Sequence, residues 1–125
     1  KNFWQMPQGG VDKGENLYEA AIRELDEETS IKSVSLIKKI DGLLTYHLPD
    51  ELLGIIWKGK FKGQEQQWYI MRFNGEEKEI NIKTKHPEFL EWKWVDIDEI
   101  TKLVVTFKLH VYEKIQKEVK KILVN

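Results

Sequence analysis

The sequence predicts an α+β domain. Three observations carry this: apolar residues at helical spacing near both ends of the chain, runs of alternating or β-favouring residues between them, and turn signals separating the runs. With 125 residues there is room for one hydrophobic core, so a single domain spanning residues 1–125 is expected.

The elements follow in order. Gln8-Gly9-Gly10 through Gly14 is a glycine-rich loop. From Asn16 to Thr29 the pattern turns helical, with Leu17, Ala21 and Leu25 at spacing four as an apolar stripe. Asn16 is the expected N-cap and Ser30 lies past the end. Ser33–Ile40 and Gly42–Leu48 read as strands joined by a turn at Asp41-Gly42. Gln67–Phe73 is rich in aromatic and β-favouring residues and reads as a strand, closed by the turn signal Asn74-Gly75. Glu91–Val95 alternates and reads as a strand with Trp92 and Trp94 on one face. Asp98 is expected to open a short helix, and Tyr112, Ile115, Val119 and Ile122 mark a terminal amphipathic helix with lysines on its other side. Trp57, Trp68, Trp92 and Trp94 are expected in the core or at an interface.

Composition narrows the class. Hydrophobic residues at 41% and charged residues at 33% describe a soluble globular chain. Twenty basic residues nearly cancel twenty-one acidic ones, and a net charge of −1 gives no bulk attraction to nucleic acid or to an anionic membrane. Any affinity for polyphosphate must come from a local site. The absence of cysteine excludes disulfides, zinc–thiolate centres and thiol nucleophiles. No apolar run reaches the length of a membrane span, and a cytoplasmic location is expected.

The chemistry is concentrated in the first thirty residues. Glu24, Glu27 and Glu28 lie three and four apart on the first helix, hence on one face. Three carboxylates there repel one another unless a cation joins them. All are hard oxygen donors, which suit magnesium or manganese rather than zinc. Arg23 adjoins them, and Glu15 is placed to pair with Arg23 and hold it. Alone, such a triplet reads more readily as a solvated acidic helix end than as a site. The complete spacing changes that: Gly9, five residues, Glu15, seven residues, Arg23-Glu24-Leu25, one residue, Glu27-Glu28, one residue, Ser30-Ile31.

That spacing resembles the Nudix box, whose one departure here is Ser30 where the family has glycine. The position closes the helix and supplies no ligand, so the substitution bears on stability rather than on the metal site. Trp4-Gln5-Met6-Pro7-Gln8-Gly9-Gly10, Tyr46-His47-Leu48-Pro49, Gly63–Tyr69, Pro87-Glu88-Phe89 and Val104–Lys108 are similar to the branch of bacterial RNA pyrophosphohydrolases and dinucleoside polyphosphate hydrolases. The resemblance implies an α/β/α sandwich with a mixed sheet. Because the chain opens on Lys1-Asn2-Phe3-Trp4, as though inside a domain, the family's first strands are expected to precede it.

The resemblance further implies magnesium or manganese, more than one ion with substrate, held by Glu24, Glu27, Glu28, the carbonyl of Gly10 and Glu88. Arg23 and Glu15 would orient the carboxylates. Glu88 is one reading of the general base, and a glutamate of the box is the other. By resemblance Phe107 stacks on a nucleobase, with Val105 and Lys108 beside it. Tyr46 and Gln64 are read either as phosphate contacts or as structural hydrogen-bonders. His47, His86 and His110 sit in no ligand spacing and are taken as non-catalytic.

Three functions fit: an RNA 5′-triphosphate pyrophosphohydrolase, a hydrolase of dinucleoside polyphosphates such as diadenosine pentaphosphate, and a Nudix-like nucleotide-binding module without catalysis. The intact glutamates argue against the last. The expected partner is a nucleotide polyphosphate or an RNA 5′ end, with no membrane.

Overall fold

The computed structural model describes residues 3–47, 49 and 63–124, apart from the side chains of residues 63 and 64. Leu48, Trp57 and the Gln64 side chain therefore lie outside the described residues. The chain is α+β and divides into two compact units, one comprising Lys1–Gln5, Ile40–Trp68 and Val95–Asn125, the other Met6–Lys39 and Tyr69–Trp94.

The second unit contains the first helix, α1 (Leu17–Thr29). Its start is fixed by Asn16, whose side-chain oxygen accepts from the N–H groups of Tyr18 at 2.8 Å and Glu19 at 3.2 Å. Its end is fixed by Ser30 at φ 65°, in the left-handed region, with its N–H donating to the Asp26 carbonyl. The expected apolar stripe is not the face that turns inward. Leu17 is exposed and Ala21 and Leu25 are half-buried, whereas Ala20 and Glu28, on the adjacent row through Glu24, are buried. Sequence spacing defines several parallel rows on a helix, and which one is covered depends on partners distant in sequence, here a loop N–H that bonds Glu28.

Strand β1 (Val34–Lys39) belongs to the same unit; β2 (Leu44–His47) and β3 (Gly63–Gln66) belong to the other. The turn between β1 and β2 passes through Gly42 at φ 78°, where a side chain would be strained. The two strands it joins do not pair. β1 pairs antiparallel with β4 (Tyr69–Phe73), from Val34 opposite Phe73 to Lys39 opposite Tyr69, with a bulge at Ile37. β2 pairs antiparallel with β3, from Leu44 opposite Gln66 to His47 opposite Gly63. The expected strand at 67–73 thus begins at Tyr69. Gln67 instead donates its side-chain amide to the Ile40 carbonyl at 2.6 Å, and Gly63–Gln66, polar and unmarked by alternation, is a strand in its own right.

Glu91–Val95 is not a strand: no described strand pairs with it. A strand exists only through its ladder, and alternation alone supplies no partner. The shared face of Trp92 and Trp94 does appear. Their rings meet edge to face at 6.3 Å, and Trp94 stacks on Phe73 at 5.8 Å, although Trp94 stays 59% exposed rather than entering the core.

The first unit carries the larger apolar core: Ile40, Tyr46, Ile100, Val104, Val111, Tyr112 and Ile115 are all buried. A 3-10 turn at Ile97–Glu99 leads into α2 (Ile100–Leu103), and a second at Thr106–Lys108 into α3 (Leu109–Leu123). Asp96, rather than Asp98, precedes the first turn, and Asp98 pairs with Lys120 instead. α3 buries Val111, Tyr112, Ile115 and Glu118 at helical spacing, and Trp68 meets Tyr112 edge to face at 6.0 Å. Among the described residues no helix is long and apolar enough to cross a membrane.

Candidate active site

The loop at 8–15 and the helix α1 are tied together through one guanidinium. Arg23 Nε and Nη2 donate to the two carboxylate oxygens of Glu15 at 2.7 and 2.9 Å, a bidentate pair. Nη1 donates to Glu24 at 2.7 Å and Glu27 at 3.1 Å, and Nη2 also reaches the Gly10 carbonyl at 2.8 Å. Glu15 in turn accepts the Asp12 N–H at 2.9 Å, and the Asp12 carboxylate lies 3.6 Å from Arg23. The Arg23 hydrogen bonds, then the Asp12 N–H, push the Glu15 carboxyl down to about 2, so it stays ionised at any physiological pH. Arg23 is held firmly in its charged form by the same partners.

Gly9 has a steric role. A Cβ there would sit 2.0 Å from the Glu24 carboxylate oxygen and 2.4 Å from its Cγ. The loop passes over the Glu24 side chain with no room for even a methyl group.

Glu28 is the contrasting member of the triplet. It is 5% exposed and accepts one described hydrogen bond, from the Gln8 N–H at 3.2 Å. Burial pushes its carboxyl up to about 7, and the charges of Glu24, Glu88 and Glu27 push the same way against the Gln8 bond. Glu88, sixty positions further along the chain, therefore stands within electrostatic reach of Glu28 while itself exposed to solvent.

Among the described residues, no three His, Cys, Asp or Glu side chains already enclose a metal-sized position. Glu24 and Glu27 are turned to Arg23, which also takes up the Gly10 carbonyl. The donor chemistry nevertheless fits a hard cation. Every candidate ligand is an oxygen, and Glu28 is desolvated among like charges, with no cationic side chain bonded to it among the described residues.

The other sequence-predicted residues belong to the other compact unit. Tyr46 is buried and lies 5.7 Å from the half-buried Phe107 ring. The buried Lys108 places its ammonium 5.0 Å over the Tyr46 ring and donates to Gln5 Oε1 at 3.3 Å; burial lowers its pKa. Val105 is half-buried, and Gln64 is opposite Tyr46 in the β2–β3 ladder. His110 bonds the Thr45 carbonyl. Residues unforeseen from the sequence are Gln8 and Asp12, whose backbone N–H groups bond Glu28 and Glu15, Asp12 also bringing its carboxylate to Arg23. Glu79 is a third: its carboxylate accepts the N–H groups of Lys32 at 2.7 Å and Ser33 at 2.8 Å.

A NUDIX domain model matches residues 1–115. The RNA pyrophosphohydrolase of Pelagibacter ubique is 69% identical over 123 residues, covering 98% of this chain and 78% of that protein. Those of Sphingopyxis alaskensis and Rhodospirillum rubrum are 50% and 48% identical, each over 92% of this chain and over 74% and 70% of the relative. With the box residues gathered on one loop and one helix, and with these similarities along nearly its whole length, the chain belongs to the Nudix family.

Proposed function

We propose that this chain hydrolyses a phosphoanhydride bond in the 5′-triphosphate end of RNA. It is a Nudix hydrolase acting on pyrophosphate bonds, and relatives named RNA pyrophosphohydrolases support RNA as the substrate. The observation that carries the chemistry is Glu28, buried and pressed by three other carboxylates.

Nudix hydrolases generally use divalent metal ions, and bound magnesium or manganese would neutralise phosphate oxygens and activate water. Glu24, Glu27, Glu28 and the Gly10 carbonyl would hold such ions, with Glu88 as a further carboxylate from its loop. Arg23, gripped by Glu15, sets where Glu24 and Glu27 stand. In the hydrolysis, the water oxygen bonds to phosphorus, the bridging P–O bond breaks, and the proton released passes to a carboxylate. Glu88 suits that role because it is exposed, lies within electrostatic reach of Glu28 and forms no ion pair among the described residues. Phe107 would stack on a base of the RNA end, with Val105 and Lys108 beside it, and Tyr46 and Gln64 would line the path of the phosphates. The cysteine-free chain suits the cytoplasm, where we place the reaction.

The test offers the protein 5′-triphosphorylated RNA and dinucleoside polyphosphates side by side with magnesium. Higher kcat/KM on RNA is expected; higher kcat/KM on diadenosine pentaphosphate would transfer the assignment to that substrate. Glu88→Gln is expected to lower kcat by about 10²-fold or more with KM little changed.

A further inference from the structure

We propose that Ser30 is a positioning residue for Glu88, acting through a hydrogen-bonded clamp between the end of α1 and the segment at 79–81. The inference rests on the role given to Glu88 above.

Four bonds build the clamp. The Ser30 hydroxyl donates to the Asn81 carbonyl at 2.9 Å. The Asn81 N–H donates to the Thr29 carbonyl at 2.8 Å. The Glu79 carboxylate accepts both the Lys32 and the Ser33 N–H groups. These partners lie 46 to 52 residues apart along the chain, so each bond closes a long loop. The Lys32 bond, then those from Ser33, holds the Glu79 carboxyl below the usual carboxylate range, which keeps it ionised as an acceptor.

The clamp joins two functional groups. On its helix side, Thr29 and Ser30 directly follow Glu28. On its other side, Asn81 turns the chain by accepting the Lys83 N–H on its own side chain at 2.9 Å, and the segment then runs to Glu88. Glu88 is exposed, and its position relative to Glu28 depends on where that segment is anchored.

Ser30 serves this anchor at a conformational cost. Its φ of 65° suits glycine best, and this chain carries a serine there. Glycine would close the helix with less strain and lose the hydroxyl that reaches Asn81. Stability and positioning therefore ask for different residues at this one place.

The experiment compares Ser30→Gly and Ser30→Ala in the wild-type and Glu88→Gln backgrounds, measuring melting temperature, kcat and KM on 5′-triphosphorylated RNA. In the wild-type background, Ser30→Gly should hold or raise the melting temperature while lowering kcat roughly threefold to tenfold, a fraction of the roughly 10²-fold that a full 1 Å misplacement costs. Ser30→Ala should lower kcat similarly and also lose stability. Neither should move KM much. In the Glu88→Gln background both should leave kcat unchanged, because the group they position is already gone. An unchanged kcat in the two Ser30 variants, or an equal fold-loss in both backgrounds, overturns the clamp while leaving Glu88 in its role. A Glu88→Gln protein with normal kcat overturns the role of Glu88, and the clamp's purpose with it.

Discussion

Two glutamates in this protein are equally buried and oppositely surrounded. Glu28, at the end of α1, and Glu118, in α3, are each 5% exposed. Glu118 accepts from Lys114 at 3.2 Å and Lys121 at 3.1 Å, four and three residues away on its own helix. Glu28 has one backbone N–H and the charges of three other carboxylates. Burying a charge is costly unless a counter-charge accompanies it. In α3 the helix supplies that counter-charge itself. In α1 no described cation bonds to the buried carboxylate, and the metal-binding role proposed for Glu28 rests on that contrast.

The largest expected effect separates the two directly. Glu28→Gln, or Glu27→Gln beside it, should lower turnover by orders of magnitude at saturating magnesium while the circular dichroism spectrum is retained. Glu118→Gln should leave turnover unchanged and cost about 1.5–3 kcal/mol in urea unfolding, the worth of hydrogen bonds to a charged group. Near-normal turnover in Glu28→Gln, or a catalytic loss in Glu118→Gln, would erase the distinction.

The next effect is in pH. In metal-free protein the Glu28 carboxyl lies at about 7, above its ordinary value of 4.5. The folded state then holds more protons than the unfolded state between these values, so stability falls as pH rises from about 4.5 to about 7. The shift corresponds to a loss of at most roughly 3 kcal/mol. Urea unfolding in a chelator, wild type against Glu28→Gln, should show this slope only in the wild type, and a divalent ion should flatten it. Parallel profiles would mean that Glu28 is not crowded in solution.

The smallest effect concerns recognition. Phe107→Ala should weaken RNA binding by about 1–3 kcal/mol, the usual worth of a base stack. Inorganic tripolyphosphate, which has no base, should bind the variant and the wild type alike. Because Phe107 also packs on Tyr46 at 5.7 Å, Phe107→Leu serves as the control for folding. Equal losses on both ligands would return the ring to a packing role.

What could be read from the sequence was local. Asn16 and Ser30 bound α1 because caps act within a few residues, and the spacing of Glu15, Arg23, Glu24 and Glu27 delivers their ion pairs for the same reason. Pairings between distant segments were not legible. Nothing in Val34–Lys39 announces Tyr69–Phe73 as its partner, and nothing in Glu91–Val95 warns that no described strand lies alongside. Glu118 looks like a surface residue until Lys114 and Lys121, themselves still open to solvent, are seen to pair with it. The Ser30–Asn81 bond spans 51 residues, so the sequence shows a departure from the family's glycine without showing what the hydroxyl touches.

Gly9 is exposed to solvent and contributes no charge, no donor and no acceptor from a side chain. A survey of tolerated substitutions would ordinarily count such a place as permissive. Here the space that a methyl group would take is filled by the Glu24 side chain, whose carboxylate is fixed at 2.7 Å on Arg23. Alanine at that position would therefore displace a candidate ligand from its guanidinium. The effect would resemble damage to the carboxylate itself, inflicted by a residue with no chemistry of its own.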